Sequence, residues 1–188
     1  MMSQESTQQK QQLQQVECRP VRRIVTGTNA QGRSIIESDG PTPNVFAQIG
    51  RPAAQVLWAT GESRAPGVEP APAGWEFPFH SHGGSLLRVV DFPPDSVYDQ
   101  AELLKFLDDS GVRDQGNPRH FWFHKTESLD YAFVLEGEIY ALMDEGEALM
   151  RAGDVLIQRA TNHSWSNRSD KVCRMAFVLL DLVPGEPL

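Results

Sequence analysis

Five histidines are the side chains of this chain best suited to acid–base or metal chemistry near neutral pH. His80 and His82 form an H-x-H pair in a segment rich in glycine and proline. His120 and His124 flank an aromatic run, and His163 opens a short segment that also carries a tryptophan. Which of them act together depends on the elements that carry them.

The segment from His120 to His124 is predicted to be a β-strand. Successive side chains of a strand point to opposite faces, so His120, Trp122, His124 and Thr126 share one face. In a barrel, one face of each strand points inward, so we expect Trp122 and His124 to enter the same space. His120 is expected to pack rather than to bind a ligand.

Most of the chain reads as short strands separated by turns. Turn signals recur every few residues from Arg119 onward, and fifteen glycines and thirteen prolines punctuate the sequence. This pattern is typical of a sandwich or barrel. The predicted strands are 23–26, 34–37, 55–59, 86–92, 120–124, 130–135, 138–143, 148–150, 155–158, 163–166 and 172–182.

One short helix is predicted after Pro94. Val97, Ala101, Leu104 and Leu107 form an apolar stripe with helical spacing, and Gly111 stands where a C-terminal cap belongs. The fold class is therefore all-β with one short helix.

The chain is predicted to form one domain behind a polar tail. Residues 1–19 are rich in glutamine and are expected to be disordered, and residues 20–188 form the domain. Residues 61–84 hold many prolines and glycines and are predicted to be a long loop.

Composition excludes several classes of partner. The formal net charge is −8 and no basic cluster is present, so we expect no nucleic-acid partner. No apolar run is long enough to span a bilayer and no apolar leader opens the chain, so we expect no membrane partner and a cytoplasmic location. Cys18 and Cys173 are expected to be free thiols.

The segment around His124 resembles the first motif of the cupin superfamily, G-x5-H-x-H followed by a glutamate and, six residues later, a glycine. Gly137 matches the closing glycine, and Asp130 stands at the glutamate position. His124 matches the first histidine of the motif, and Thr126 stands in place of the second.

A later segment resembles the second cupin motif, G-x5-P-x-G-x2-H-x3-N. Gly153 opens the match, His163 takes the histidine position and Asn167 the asparagine position. Gln158 replaces the proline and Ala160 replaces the glycine. The resemblance covers about residues 119–182 and implies a jelly-roll barrel, the double-stranded β-helix of cupins, to which residues 22–92 would add the remaining strands.

The resemblance also implies a metal site. Cupins hold Fe, Mn, Ni, Zn or a similar divalent ion with three histidines and a glutamate. In this chain His124, Asp130 and His163 remain, which is a two-histidine, one-carboxylate set with open positions for substrate. The same three residues are the predicted catalytic residues, as metal ligands or directly as acid and base. His80 and His82 lack a following glutamate and are interpreted as a decoy for this motif.

The predicted partner is a small molecule inside the barrel, and the residues expected to contact it are Trp122, Thr126, Tyr131, Gln158 and Trp165. The aromatic members suit an oxygenated, aromatic or polyketide-like metabolite.

Three functions follow as hypotheses. The first is a metal-assisted lyase or isomerase that decarboxylates, dehydrates or cyclises its substrate. The second is an Fe(II)-dependent dioxygenase on the same site. The third is a metal-free isomerase or cyclase, or a ligand-binding protein without catalysis. A homodimer is expected through the edge of the strand at 172–182.

Overall fold

The computed structural model describes residues 18–47, 51–63, 78–116 and 118–182. Within these ranges the chain forms eleven strands and one α-helix, which confirms the predicted fold class. The strands are β1 (Arg22–Thr28), β2 (Ser34–Pro41), β3 (Asn44–Phe46), β4 (Ala53–Ala59), β5 (Ser85–Phe92), β6 (Ser128–Glu136), β7 (Glu138–Met143), β8 (Glu147–Arg151), β9 (Val155–Arg159), β10 (His163–Ser166) and β11 (Cys173–Asp181). The tail at 1–17 and most of the predicted loop, 64–77, lie outside the described residues.

Two antiparallel sheets form the barrel. The larger sheet has the strand order β3-β4-β5-β11-β6-β9, and the smaller has the order β10-β7-β8. Their inner faces share one apolar core, to which the larger sheet contributes Val56, Leu86 and Phe177 and the smaller contributes Ile139 and Trp165. This is the sheet-on-sheet packing of a jelly roll.

The first two strands belong to neither sheet of the barrel. β1 and β2 pair only with each other as a two-stranded ribbon, so they do not add barrel strands as expected for residues 22–92. The ribbon exposes Ile24, Ile35 and Ile36, so it adds little apolar surface to the core. Its buried Arg23 donates a hydrogen bond to the Leu57 carbonyl of β4 at 3.0 Å. Only β3, β4 and β5 of this segment join the larger sheet.

The helix α1 (Gln100–Asp109) lies between β5 and β6 in the chain. Asp99 caps its start by accepting hydrogen bonds from the backbone N–H groups of Ala101 and Glu102. The buried residues of the helix are Leu103 and Leu107. The predicted apolar stripe is therefore wrong where it includes Ala101. Gly111 has a φ of 68°, as expected for a residue that follows a helix end. None of the described helices is long and apolar enough to cross a membrane.

The predicted strand at 120–124 is not formed. The segment is a series of bends, and only His124 makes a bridge, to Arg113 and to His163. The aromatic residues are held by packing instead: Phe121 contacts Tyr98, and Trp122 stacks on Phe106 of α1. The aromatic run has the composition of a strand, but its rings pack against Tyr98 and against Phe106 of α1 instead.

The C-terminal strand is not an edge. β11 pairs with β5 on one side and with β6 on the other, at the centre of the larger sheet. β11 therefore offers no open edge for the predicted homodimer, and a homodimer stays a prediction. Both cysteines are free, as predicted.

Candidate functional site

His124 and His163 are brought together by backbone pairing. The N–H of His124 donates to the carbonyl of His163 at 2.9 Å, and the N–H of His163 donates to the carbonyl of His124 at 3.0 Å. This places the two imidazole rings 4.3 Å apart between their centroids. Both residues are buried, at 3% exposure.

Each ring is oriented by a backbone carbonyl two residues earlier in the chain. His124 Nδ1 lies 2.8 Å from the Trp122 carbonyl oxygen, and His163 Nδ1 lies 3.0 Å from the Thr161 carbonyl oxygen. A carbonyl oxygen only accepts hydrogen bonds, so each Nδ1 carries the proton. Each neutral ring therefore keeps its lone pair on Nε2, where it can accept a proton or bind a ligand.

Burial keeps both rings uncharged at neutral pH. Desolvation lowers the pKa of His163 to about 4, and the charge of Arg88 adds to this. Desolvation also holds the pKa of His124 well below its ordinary value, with a further lowering from the neighbouring His163. The pair therefore offers two neutral bases.

Asp130 lies on β6 and points into the barrel, at 5% exposure. The Ser128 hydroxyl donates to Asp130 Oδ1 at 2.6 Å, and it lies 3.0 Å from the Thr126 hydroxyl. Desolvation raises the pKa of Asp130, while the bond from Ser128 and the charge of Arg88 lower it in part. This carboxyl group is thus held by the hydroxyl of Ser128 in its own strand.

Arg88 is the charged residue of the site that sequence reasoning missed. It is 8% exposed on β5, and its charge influences the pKa values of Asp130, His124 and His163. Burial lowers its own pKa to about 10, which still leaves it charged at neutral pH. Its guanidinium lies over the rings of Phe79 and Phe177. The signal in the sequence was a single arginine in the apolar run from Leu86 to Val90.

An internal pocket of about 250 Å³ opens beside these residues. Its wall is mostly aromatic and aliphatic, and its polar groups come from His124, Arg51 and Arg88. The remaining lining residues are Phe46, Pro52, Ala54, Phe79, Val90, Phe92, Phe106, Trp122, Trp165 and Phe177. This combination of an apolar wall with few polar groups is typical of a small-molecule site.

The predicted substrate contacts divide into two groups. Trp122 and Trp165 line the pocket together with His124. Thr126 and Gln158 are buried but do not line it, and Tyr131 points to the opposite face of β6 from Asp130. The alternation along the strand explains the misplaced tyrosine, because Asp130 and its neighbour cannot both face inward.

Gln158 offers an acceptor inside the barrel. It pairs across the sheet with Asp130, and its amide Nε2 donates to the Thr161 carbonyl at 2.9 Å. Its Oε1 is buried and has no hydrogen-bond partner within the described part of the chain. An amide oxygen without a donor is costly, so this atom is available to accept a hydrogen bond from a bound molecule.

The predicted metal ligands do not converge. His124 and His163 keep the lone pairs of their Nε2 atoms, but Thr126 replaces the third imidazole, and Asp130 does not form a group of three close ligand atoms with them. Within the described ranges, the side chains that bring three ligand atoms within 4.8 Å of one another are His80, His82 and Asp181. His80 and His82, interpreted as a decoy for the cupin motif, therefore belong with Asp181 to this group of three ligand atoms. The three predicted barrel residues do not fit an ion with three protein ligands.

His120 belongs to a separate, structural network. Its Nδ1 lies 2.6 Å from the Ser164 hydroxyl, and its Nε2 lies 3.2 Å from Asp95. These are the residue types of a hydrolase triad, but Ser164 has no exposed surface and does not line the pocket. Asp95 also accepts from the Ser166 hydroxyl and from the backbone of Asn167. These hydrogen bonds link the turn before α1 to β10. His120 thus has a structural role, in line with the expectation that it packs rather than binds a ligand.

Comparison with known proteins agrees with this geometry. Residues 113–180 match the family model of the cupin domain. The chain is 33% identical over 185 residues to phomopsin biosynthesis cluster protein C' of Diaporthe leptostromiformis, covering 90% of this chain and 83% of that protein. The chain belongs to the cupin family.

A second relative and a solved structure are also similar to this chain. A cupin-domain-containing oxidoreductase of Hypocrea virens, virC, is 31% identical over 86% of this chain and 76% of its own length. The cupin domain of Cnp3 from Schizosaccharomyces pombe is 11% identical, covers 86% of this chain and 88% of its own, and gives a TM-score of 0.44. That structure is too distant to add to the family assignment.

The structure also explains two positions of the cupin motifs. Ala160 has a φ of 49°, so it occupies the left-handed conformation at the position where the second motif has glycine. Asn167 is 1% exposed, and its amide donates to the carbonyls of Phe92 and Lys171. These motif residues serve the fold rather than the chemistry.

Proposed function

We propose that this cupin is a small-molecule enzyme of secondary metabolism that moves a proton on an oxygenated, anionic, aromatic or polyketide-like metabolite. The observation that carries the proposal is the pair of neutral imidazoles, His124 and His163, beside the buried cation of Arg88. The biosynthesis-cluster names of relatives support the metabolic setting.

The pocket chemistry supports an anionic aromatic ligand. The rings of Phe79, Phe106 and Trp122 line one pocket and can stack on a flat ligand. Arg88 and Arg51 reach the same space. In an apolar pocket, a guanidinium binds a carboxylate or enolate strongly because little water competes with it.

His124 is the residue placed to exchange the proton. It lines the pocket, whereas His163 does not line it and contacts the His124 ring from another side. His124 Nε2 would take a proton from a carbon next to a carbonyl and return it to another atom of the substrate. Arg88 would stabilise the enolate that carries the charge in between. The negative charge of the bound substrate raises the pKa of His124 and so strengthens it as a base.

Phenylpyruvate is a suitable probe, because it is aromatic and anionic and its enol and keto forms differ by one proton transfer. Its binding should be measured by calorimetry against its neutral methyl ester, with wild type, Arg88→Met and Arg51→Met. We expect wild type to prefer the acid. Arg88→Met should lose at least about tenfold in affinity for the acid, while Arg51→Met, whose arginine also pairs with Glu102, should lose less.

The catalytic step is tested by the rate at which the enol form converts to the keto form. Wild type should accelerate the conversion, and His124→Gln should remove the acceleration while the binding of the acid remains. Unchanged affinity for the acid in Arg88→Met would overturn the choice of an anionic ligand. Binding without acceleration in wild type would favour the non-catalytic alternative.

A second candidate function is an Fe(II)-dependent dioxygenase, which the oxidoreductase names of the relatives from Hypocrea virens and Neurospora crassa favour. The iron would rest on His124 and His163 alone, because Asp130 does not form a three-ligand group with them. Oxygen uptake with ferrous ion and phenylpyruvate, measured with an oxygen electrode, tests it. Uptake that requires His124 and His163 would support the oxygenase. Turnover that is the same under strict anaerobiosis would exclude it.

A further inference from the structure

His80, His82 and Asp181 meet at one end of the larger sheet. The two histidines lie in the segment that leads into β5, and Asp181 is the last residue of β11. β5 and β11 are antiparallel neighbours, with Ser85 opposite Leu180, so the start of one strand lies beside the end of the other. Residues that are about a hundred positions apart are thus adjacent.

The three side chains surround a common point. His82 Nδ1 lies 3.6 Å from Asp181 Oδ1, and His80 Nε2 lies 4.0 Å from the same oxygen. The two rings are 4.4 Å apart between centroids and nearly perpendicular. Both nitrogen–oxygen distances are too long for a good hydrogen bond, so a direct bond does not explain the arrangement.

The carboxylate is fixed in this direction by the backbone. The N–H of Gly83 donates to Asp181 Oδ2 at 2.7 Å, and the N–H of Asp181 donates to the carbonyl of Gly84 at 3.0 Å. The second oxygen, Oδ1, is the one that faces the histidines. The group is thus organised in advance, as ligand sets of metal sites are.

We propose that His80, His82 and Asp181 bind one divalent transition-metal ion such as zinc. Such an ion lies about 2.0–2.2 Å from imidazole nitrogens and carboxylate oxygens, and tetrahedral ligands are then about 3.4 Å apart. The distances of 3.6 and 4.0 Å would therefore contract by about 0.2 and 0.6 Å to bind the ion, and all three ligand atoms already lie within 4.8 Å of one another. The His82 side chain is 60% exposed, which leaves room for water as the fourth ligand.

The donor atoms of this group suit a transition metal. Two imidazoles and one carboxylate give the mixed nitrogen and oxygen set that zinc, cobalt and nickel accept.

The site is distinct from the pocket but adjacent to it. Phe79 directly precedes His80 and lines the pocket, with its ring 5.6 Å from that of His124. An ion on His80 and His82 would hold the segment that carries Phe79 against the end of β11. Metal binding would thereby fix one wall of the substrate pocket.

Cobalt is the probe for the test, because its visible absorption reports the ligand geometry. The untagged full chain, treated with chelator and dialysed, is titrated with Co²⁺, and Zn²⁺ is then added as competitor. We expect one Co²⁺ per chain, displaced by Zn²⁺. His82→Gln and Asp181→Asn should each weaken binding at least tenfold, and the exposed His82 makes the first variant safe for folding.

Matched controls separate this site from the barrel. His163→Gln and His120→Gln remove histidines elsewhere and should leave the Co²⁺ titration unchanged. The proposal is overturned if wild type shows no stoichiometric binding, if His82→Gln binds as tightly as wild type, or if binding is lost in His163→Gln. The last result would place the ion in the barrel instead.

Discussion

His124 and His163 are joined by two backbone hydrogen bonds, and their rings lie 4.3 Å apart with Nδ1 of each bound to a carbonyl. The second and first cupin motifs thus meet through main-chain atoms, so the geometry of the pair does not depend on a metal. Their neutral state follows from burial beside the cation of Arg88.

The buried histidines make stability depend on pH. The pKa of His163 falls from 6.5 in the unfolded chain to about 4 in the folded protein, so the unfolded state binds the proton more tightly between these values. Stability is full above pH 6.5 and falls as the pH is lowered toward 4, by about 3 kcal/mol for His163 alone. Urea unfolding at pH 7.5, 6, 5 and 4.5 measures this slope.

The matched variants for this slope are His163→Gln and His82→Gln. The first should make the decline below pH 6.5 shallower, because one of the two buried histidines that titrate is gone. The second changes an exposed histidine and should keep most of it. An equal slope in wild type and His163→Gln would contradict the assignment of the slope to His163.

The Arg174–Asp91 ion pair is predicted to be essential for stability. Arg174 binds both carboxylate oxygens of Asp91 at 2.6 Å, and Asp91 is 2% exposed. Arg174→Met leaves that charge buried and unpaired, which costs about 3–5 kcal/mol. Chemical unfolding at neutral pH measures the loss.

Arg22 and Asp39 provide the control for this pair. They form the same two-bonded geometry at 2.7 Å, but on the exposed ribbon of β1 and β2. Arg22→Met should cost much less than Arg174→Met, because solvent screens the exposed pair. Similar losses in the two variants would show that burial does not set the cost.

Ala160→Gly is predicted to stabilise the protein. The φ of 49° at Ala160 is strained for a residue with a side chain and is relaxed for glycine. The gain is partly offset by the greater entropy of glycine in the unfolded chain, so we expect up to about 1 kcal/mol. A higher melting temperature in calorimetry would agree, whereas a lower one would show that the methyl group contributes packing.

Gly137→Ala is predicted to destabilise the protein by about 2–4 kcal/mol. Gly137 has a φ of 79°, and an added Cβ would lie 2.9 Å from the Val172 carbonyl oxygen and 3.1 Å from Cys173 Cα. Gly146 has a φ of 83° and open space around it, so Gly146→Ala carries only the backbone strain. A difference of less than about 0.5 kcal/mol between the two variants would exclude the steric cause.

Local patterns predicted most of the barrel. Alternation and turn residues placed β5 to β11 within one or two residues. In β6 and β11 a buried face repeats every second position, and turn residues bound the shorter strands. The segment at 120–124 failed for a physical reason. Its aromatic composition suits a strand, but its rings are used to cover Phe106 and Tyr98.

The site was predictable only in part. The cupin motifs located His124, Asp130 and His163, but only the fold shows that Asp130 is bound to Ser128. Neither motif contains Arg88, which enters the site from β5. His80 and Asp181 come together only through strand pairing, which spacing along the chain does not reveal.

The proposed proton transfer is tested most directly by measuring which ring nitrogen of His124 and of His163 carries the proton and whether either ring is charged. Nitrogen-15 NMR of the full chain, with signals assigned by His124→Gln and His163→Gln, reports each ring nitrogen from pH 5 to 8. We expect both rings to be neutral, with a protonated Nδ1 and a bare Nε2, and a phenylpyruvate-induced rise in the pKa of His124. A ring that is charged at pH 7, or that carries its proton on Nε2, would contradict the proposed proton transfer.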